Sequence, residues 1–209
     1  MESVAADQQE IGARPTLAAG DLDRSVARLH CAGGAAQAGQ IAEYAGFDNC
    51  RGAALVSGGG KGCAWGCLGL GDCDVSCDFD AIHMSANGLP VVDVDKCTAC
   101  GDCVDACPKD LFKLQPLSQP LLVQCSVPLA GAAAMAHCIV ACDACGRCAQ
   151  DAPEGTIEML GNLPTIEGGL NAEAGPGPTF RCPTGAIQWL PGGQFLQTND
   201  PTLEGQYHA

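Results

Sequence analysis

The sequence predicts an α+β protein rich in loops, built from two tandem units of short strands and short helices around cysteine-bearing loops. Three observations lead to this prediction. The chain of 209 residues has 16 cysteines but only 4% aromatic residues, so a large aromatic core cannot hold it together. It has 28 glycines and 13 prolines, as expected of a loop-dominated protein. A pattern of cysteines in the first half also returns in the second half.

Cysteine-rich chains are usually stabilised by disulfides or by metals. The first 20 residues are polar and lack the apolar run of a secretory signal, so we expect a cytoplasmic chain whose reduced thiols bind metal. The longest uncharged stretch, 114–142, is broken by three prolines, and we expect no membrane span there. It predicts instead a buried strand at 121–123 and a helix of small residues near 130–136.

The chain divides into five predicted segments, which alternate in composition and cysteine content. In order they are a flexible or partner-bound arm (1–24), a small N-terminal α/β segment (25–56), a two-cluster unit (57–115), a degenerate one-cluster unit (116–190) and a tail (191–209). The α/β segment is predicted to contain a strand at 26–30, a helix at 35–45 and a strand at 54–56. The two units hold eight and six cysteines, respectively.

The most specific motif is C-x2-C-x2-C-x3-C-P, formed by Cys97, Cys100, Cys103, Cys107 and Pro108. This run binds the 4Fe–4S clusters of bacterial ferredoxins. Three thiolates from one tight loop cover three irons of a cubane, and the fourth cysteine ligates the other cluster of a pair. Zinc sites usually join two C-x2-C units at a longer separation. The motif therefore predicts a ferredoxin-like unit with iron–sulfur clusters rather than zinc.

A distorted copy of this run lies upstream, with Leu70 at the position of its middle cysteine. If the two runs exchange their fourth ligands, Cys67, Cys73 and Cys107 share one cluster. The nearest candidate for the missing ligand of that cluster is Cys63, and the next is Cys50. The other predicted cluster has the ligands Cys77, Cys97, Cys100 and Cys103.

The same unit recurs 75 residues later (138 − 63), with a complete set of ligands for only one cluster. This third predicted cluster has the ligands Cys142, Cys145, Cys148 and Cys182. The second cluster site of this unit, which would exchange a ligand with the first, has lost all four thiols. Its ligand positions hold Ala152, Ala172, Gly175 and Pro178. Random loss would not spare one full set and delete the other, so the second unit is predicted to be degenerate and to hold one cluster.

Four cysteines remain if Cys63 completes the Cys67 cluster. They are Cys31, Cys50, Cys125 and Cys138. Two interpretations stay open for them. They could form a fourth metal site if the two units fold face to face, or they could be buried free thiols, which pack as small apolar groups. The sequence thus predicts three 4Fe–4S clusters and leaves a fourth open.

Together, these features resemble the B subunit of the Rnf electron transport complex, a membrane ferredoxin:NAD oxidoreductase. The resemblance runs from about His30 to Gln188, through the segments HCAGG, EYAGFDNCRGAALVSGGGKGC, GCLGLGDC, CTACGDCVDACP and CPTGAI. It implies a polyferredoxin on the cytoplasmic side that takes electrons from soluble ferredoxin and hands them on. The family's membrane-anchoring helix and leading four-cysteine domain have no counterpart in the sequence, which predicts a soluble variant.

The predicted function is electron transfer between clusters and partner redox subunits, as the wire subunit of a multi-subunit oxidoreductase. No catalytic residues are identified, and we expect no independent catalysis. A freely diffusing ferredoxin-like carrier and a redox or iron sensor are the alternatives. The expected partner is a ferredoxin or a flavoprotein oxidoreductase, with the chain in the cytoplasm or peripherally on a membrane complex. The net charge of −14 disfavours nucleic acid, which needs a basic surface.

Overall fold

The computed structural model describes residues 24–194, and within them it contains eight short strands, six short α-helices and four single turns of 3-10 helix. The strands are β1 (Ser25–Leu29), β2 (Ile82–Met84), β3 (Pro90–Val92), β4 (Phe112–Pro116), β5 (Leu121–Val123), β6 (Ile157–Leu160), β7 (Leu163–Ile166) and β8 (Ile187–Trp189). The helices are α1 (Ala35–Ala38), α2 (Cys50–Leu55), α3 (Asp72–Val75), α4 (Asp102–Ala106), α5 (Gly131–Met135) and α6 (Arg147–Asp151). The predicted arm, apart from its last residue, and the predicted tail beyond residue 194 lie outside the described residues.

The strands form four antiparallel two-stranded ladders. In the first half, β1 pairs with β4 and encloses the β2–β3 hairpin. In the second half, β5 pairs with β8 and encloses the β6–β7 hairpin. An outer ladder around an inner hairpin therefore occurs twice, and the cysteine loops lie in the connections between these strands.

Two predicted elements of the segment 25–56 are wrong, although its first strand is present as β1. The predicted helix 35–45 ends at Ala38, because Gly39 takes a φ of 62° and leaves the helical path. The predicted strand 54–56 is instead the end of helix α2. Asn49 begins this helix, since its side chain accepts a hydrogen bond of 2.6 Å from the backbone N–H of Gly52.

The predicted strand at 121–123 is confirmed as β5, whose three residues are all buried. The predicted helix of small residues is confirmed as α5. Across residues 24–194, none of the helices has both the length and the apolar character needed to cross a bilayer.

Cysteine side chains are part of the apolar core. In the first half, Cys73 and Cys103 pack with the buried side chains of Leu29, Ile82 and Phe112. A second core cluster contains cysteines from both halves of the chain. Because strands of three to five residues form only weak ladders by themselves, these sulfur-containing clusters carry much of the packing.

The second half is packed with apolar residues where the sequence predicts a lost cluster. Ala152, at one lost ligand position, contacts a core that contains buried Ile157 and Ala174. Nearby, Arg181 donates two hydrogen bonds, of 2.8 and 2.6 Å, to the carboxylate of Asp151 at the end of α6. Packing and an ion pair thus occupy the region around Ala152.

Two buried carboxamides complete the backbone hydrogen bonding of the outer strands. The side chain of Asn171 exchanges hydrogen bonds of 3.0 and 2.8 Å with the N–H and C=O of Leu121. The side chain of Gln194 does the same for Leu29, with both bonds at 2.8 Å. Both carboxamides are almost fully buried, so the strand groups that they satisfy have no access to water.

We predict that Asn171→Ala lowers the free energy of unfolding by about 2–4 kcal/mol, because it leaves two buried backbone groups unsatisfied at about 1–3 kcal/mol each. Thermal unfolding of the anaerobic protein, followed by circular dichroism, measures the change. Thr165→Ala, on the exposed face of β7, is the control and should have little effect. Equal stability of the two variants would contradict the structural role of Asn171.

Candidate metal centres

Four cavities in the described part of the chain are each lined by four cysteines, and together they account for all 16 cysteines. Their volumes, which include the open space at their mouths, lie between about 280 and 350 Å³. We number them as follows: cavity 1 has Cys50, Cys67, Cys73 and Cys107; cavity 2 has Cys77, Cys97, Cys100 and Cys103; cavity 3 has Cys31, Cys63, Cys125 and Cys138; cavity 4 has Cys142, Cys145, Cys148 and Cys182.

The loops of cavities 2 and 4 have the same conformation. Ala99 and Ala144, each just before the middle cysteine of its run, take φ values of 57° and 60°. Gly101 and Gly146, just after it, also have positive φ and begin helices α4 and α6. These left-handed residues curl the loop so that three thiols point to one side. The fourth thiol comes from elsewhere in each case, as the exchange of ligands between runs predicts.

Cavity 1 uses the same loop without its middle cysteine. Gly69 and Gly71 have the positive φ of the corresponding residues in the other two loops, and Leu70 stands between them. The fourth thiol is that of Cys50, the first residue of α2. The carboxylate of Asp72 accepts hydrogen bonds from the N–H groups of Cys50 and its neighbour, at 2.8 and 3.1 Å, and so holds the start of α2 against the loop.

This arrangement differs from the leading expectation for the missing ligand. Cys63, the nearest candidate in sequence, lines cavity 3, and Cys50, the second candidate, lines cavity 1. The physical reason is that Asp72 fixes the start of α2 beside the loop. The four leftover thiols therefore include Cys63 in place of Cys50.

Cavity 3 lies between the two halves and takes two thiols from each. Cys31 and Cys125 follow the outer strands β1 and β5, and all four of its cysteines are buried. A Cβ at Gly33 would come within 2.8 Å of the Cys138 Sγ, so this position leaves no room for a side chain. The halves therefore meet face to face around four thiols.

Burial raises the pKa of at least one thiol in each cavity. Loss of hydration raises the pKa of Cys67, Cys103 and Cys142 to about 12 and that of Cys138 to about 11, and neighbouring thiolates add to the effect. Metals bind thiolates, so a metal in these cavities must displace protons and offset the buried negative charge.

Backbone N–H groups compensate part of that charge. Within cavity 2, Ala27 and Ala81 donate to the sulfurs of Cys97 and Cys77 at 3.5 and 3.4 Å. Such hydrogen bonds stabilise a thiolate ligand and raise the reduction potential of a cluster bound to it.

Two further hydrogen bonds connect neighbouring cavities. The N–H of Cys67 in cavity 1 donates to the Sγ of Cys31 in cavity 3 at 3.4 Å. The N–H of Cys142 in cavity 4 donates to the Sγ of Cys125, also in cavity 3, at 3.2 Å. Cavity 3 is thus linked to one cavity of each half by a single hydrogen bond between ligand residues.

Comparison with known proteins also indicates iron–sulfur binding. The 4Fe–4S binding domain family matches residues 90–113, which include the central cysteine run. The chain is 45% identical over 126 residues to the B subunit of the Na(+)-translocating ferredoxin:NAD(+) oxidoreductase complex of Acetobacterium woodii, covering 60% of this chain and 38% of that protein. It is 37% identical over 177 residues to the B subunit of the proton-translocating complex of Clostridium ljungdahlii, covering 84% and 62%. It is 32% identical over 159 residues to the B subunit of the ion-translocating complex of Methanosarcina acetivorans, covering 76% and 60%.

The chain therefore contains a 4Fe–4S binding domain and is related in sequence to these B subunits. It spans less than two thirds of the length of each of the three relatives.

We predict that combined substitutions separate the cavities by their iron content. Cys50→Ala and Cys67→Ala each remove a thiol of cavity 1, so the double variant should lose about four irons per chain, no more than either single variant. Cys50→Ala combined with Cys63→Ala affects two cavities and should lose about eight. Iron analysis of anaerobically purified variants distinguishes the two cases. If the loss from the Cys63/Cys67 double variant equalled that from Cys67→Ala alone, Cys63 would be the fourth thiol of cavity 1.

Proposed function

From its relationship to the B subunits of ion-translocating ferredoxin:NAD oxidoreductases, we propose that this chain is an iron–sulfur electron-transfer subunit with four 4Fe–4S clusters. The observation that carries the proposal is the division of all 16 cysteines into four cavities of four thiols. The clusters in cavities 2 and 4 have the ligand sets expected from the sequence, the cluster in cavity 1 takes Cys50 in place of Cys63, and the fourth lies in cavity 3. The ligands are the four cysteines of each cavity.

The cavities suit a multi-iron group better than a single ion. Within residues 24–194, no three His, Cys, Asp or Glu side chains are close enough to share one metal ion. The four thiols of each cavity instead line one shared space. A space lined by four thiols, with backbone N–H groups directed at the sulfurs, fits a 4Fe–4S cluster.

The domain organisation that follows is two tandem ferredoxin-like units, 57–115 and 116–190, with the second reduced to one cluster. The segment 25–56 belongs to the first unit, because β1 pairs with β4 and α2 supplies Cys50. Cavity 3 belongs to both units. The nested ladders and the shared loop conformation of the two halves support this organisation.

The contacts favour one order of the centres, from cavity 2 through cavities 1 and 3 to cavity 4. Helix α3 carries Cys73 of cavity 1, and helix α4 carries Cys103 of cavity 2. The two helices contact each other. The two N–H···S hydrogen bonds join cavity 1 to cavity 3 and cavity 3 to cavity 4. At the two ends of this series, Cys100 and Cys145 are exposed, whereas the thiols of cavity 3 are buried. Electrons therefore enter and leave at cavities 2 and 4.

A 4Fe–4S cluster supplies a site that accepts and releases one electron without transfer of atoms. The chain holds the ligand thiolates, buries the four thiols of cavity 3 and directs N–H dipoles at the sulfurs. Short, direct contacts between ligand residues keep neighbouring centres close. No residue is assigned a role in substrate chemistry.

The partners that we propose are redox proteins, with a ferredoxin or a flavoprotein oxidoreductase as the donor or acceptor. The relatives' names describe subunits of ferredoxin:NAD(+) oxidoreductase complexes. The net charge of −14 favours association with basic protein surfaces. The exposed carboxylate of Asp102 lies at cavity 2, which suits a basic docking surface.

We predict that a reductive titration of the anaerobic protein consumes about four electrons per chain, roughly one for each cavity. Electron paramagnetic resonance of the fully reduced protein should show broadened signals, because neighbouring reduced centres interact magnetically. A zinc protein would take up no electrons and give no signal, which would contradict the proposal.

The order of centres can be tested by removing cavity 3. In the Cys31→Ala/Cys138→Ala variant, the centre in cavity 4 should give a narrow, isolated signal, while those in cavities 1 and 2 remain coupled. Cys145→Ala, which affects the end of the series, is the control and should produce no isolated signal. A cavity 4 signal that stays broadened without cavity 3 would contradict this order.

A further inference from the structure

The segment 190–194, here called the joining segment, lies where the two halves of the chain meet. The side chain of its residue Gln194 accepts a hydrogen bond from the N–H of Leu29 and donates one to its C=O, both at 2.8 Å. The backbone C=O of Gln194 accepts a third bond, of 2.8 Å, from the side chain of Gln124. Leu29 ends β1 of the first half, and Gln124 follows β5 of the second. One buried residue therefore connects the ends of both outer strands.

Arg28 binds the backbone of the joining segment. This arginine is only 1% exposed, and its guanidinium donates to the C=O of Gly193 and, at 3.5 Å, to the C=O of Leu190. Leu190 donates its own N–H to the C=O of Pro120, just before β5, at 2.7 Å. The joining segment is thus bound to β1 by side chains and to the second half by its backbone.

Two thiols of cavity 3 follow the strand ends that the joining segment connects. Cys31 lies two residues after Leu29, and Cys125 directly follows Gln124. The side chain of Gln124 also lines cavity 3. A centre shared by two halves forms only if thiols of both reach one place, so the connection between β1 and β5 sets the separation of these two thiols.

The residues that flank the two thiols are also bonded across the halves. The N–H of Ala32 donates to the C=O of Gln124 at 3.0 Å, and the Oγ of Ser126 donates to the C=O of His30 at 3.0 Å. Gln194 is therefore one part of a hydrogen-bonded network that joins the halves beside cavity 3.

Asn171 provides a contrast within the same fold. Its carboxamide makes an equivalent pair of hydrogen bonds, of 3.0 and 2.8 Å, with Leu121 at the start of β5. Both of these residues belong to the second half. Asn171 thus supports one half from within, whereas Gln194 connects the two.

We propose that Gln194, Gln124 and Arg28 are positioning residues for the centre in cavity 3. They hold the joining segment against both halves and so keep the thiols of Cys31 and Cys125 at the spacing that one cluster needs. This inference rests on the proposed four-cluster function. Without these contacts, each half keeps its own centres in cavities 1, 2 and 4, but the centre between the halves is lost and the electron path is interrupted.

The test compares iron content and electron paramagnetic resonance of the full chain, purified without oxygen and kept well below its unfolding temperature. Gln194→Ala and Arg28→Met should each lose about four irons per chain and show the isolated cavity 4 signal expected of the Cys31→Ala/Cys138→Ala variant. Asn171→Ala, which removes an equivalent pair of buried hydrogen bonds, is the control. It should keep all four centres and their magnetic coupling, although it lowers the stability.

A combined variant tests whether the effect is confined to cavity 3. Gln194→Ala in the Cys31→Ala/Cys138→Ala background should remove no further iron, because the centre that depends on Gln194 is already lost. Full iron with coupled signals in Gln194→Ala or Arg28→Met, or a loss spread over all four cavities, would overturn the positioning role.

A milder substitution serves if Gln194→Ala does not fold. Gln124→Met removes only the side-chain bond to the C=O of Gln194 and keeps the length of the side chain. Its cavity 3 should release iron to a chelator several-fold faster than in the wild type, seen as the appearance of the isolated cavity 4 signal. An unchanged rate would equally overturn the role.

Iron and sulfide in the wild type test the proposed function separately. About 12 of each per chain would refute the four-cluster function itself. About 16 of each, with iron and coupling retained in Gln194→Ala, would refute only the positioning role.

Discussion

The burial of 16 thiols in four groups is the constraint on which the rest of the structure depends. A thiolate loses its hydration in an apolar interior, and this costs free energy. The raised pKa values of Cys67, Cys103 and Cys142 reflect that cost. A bound metal group offsets it by bringing positive charge to the thiolates. Strands of three to five residues supply too little packing to compensate by themselves. Fold and cofactor binding are therefore coupled, as in other small metal-binding domains.

In the proposed arrangement, cavity 3 joins the two repeated units into one electron path. It draws Cys31 and Cys63 from one half and Cys125 and Cys138 from the other, and it has no exposed thiol. Its hydrogen bonds to the ligand residues of cavities 1 and 4 are nearly equal in length, at 3.4 and 3.2 Å. A centre in that position depends on both units, so the halves are not independent carriers.

Spacing along the chain predicted most of the candidate site, because three cysteines of a tight loop must face one centre whatever surrounds them. The thiols that line cavities 2 and 4 are the two sets expected from the spacing, and Leu70 marks the gap in a third loop. The partner that fills the gap depends on a tertiary contact, the hydrogen bond from Cys50 to Asp72, which no local pattern reveals. Nearness in sequence favoured Cys63 instead.

The equivalence of Cys31 and Cys125, each just after an outer strand, was the available signal for a site shared by both halves. Helix α2 was missed because the cap at Asn49 outweighs the β-like residues that follow.

The central claim is that every cysteine belongs to a four-thiol iron–sulfur site. Iron and acid-labile sulfide per chain, determined on protein purified without oxygen, test it most directly. The account predicts about 16 of each, since cavity 3 then holds a cluster like the other three. About 12 of each would leave the thiols of cavity 3 free and break the path between the halves. Zinc in place of iron, with no sulfide, would contradict the electron-transfer account as a whole.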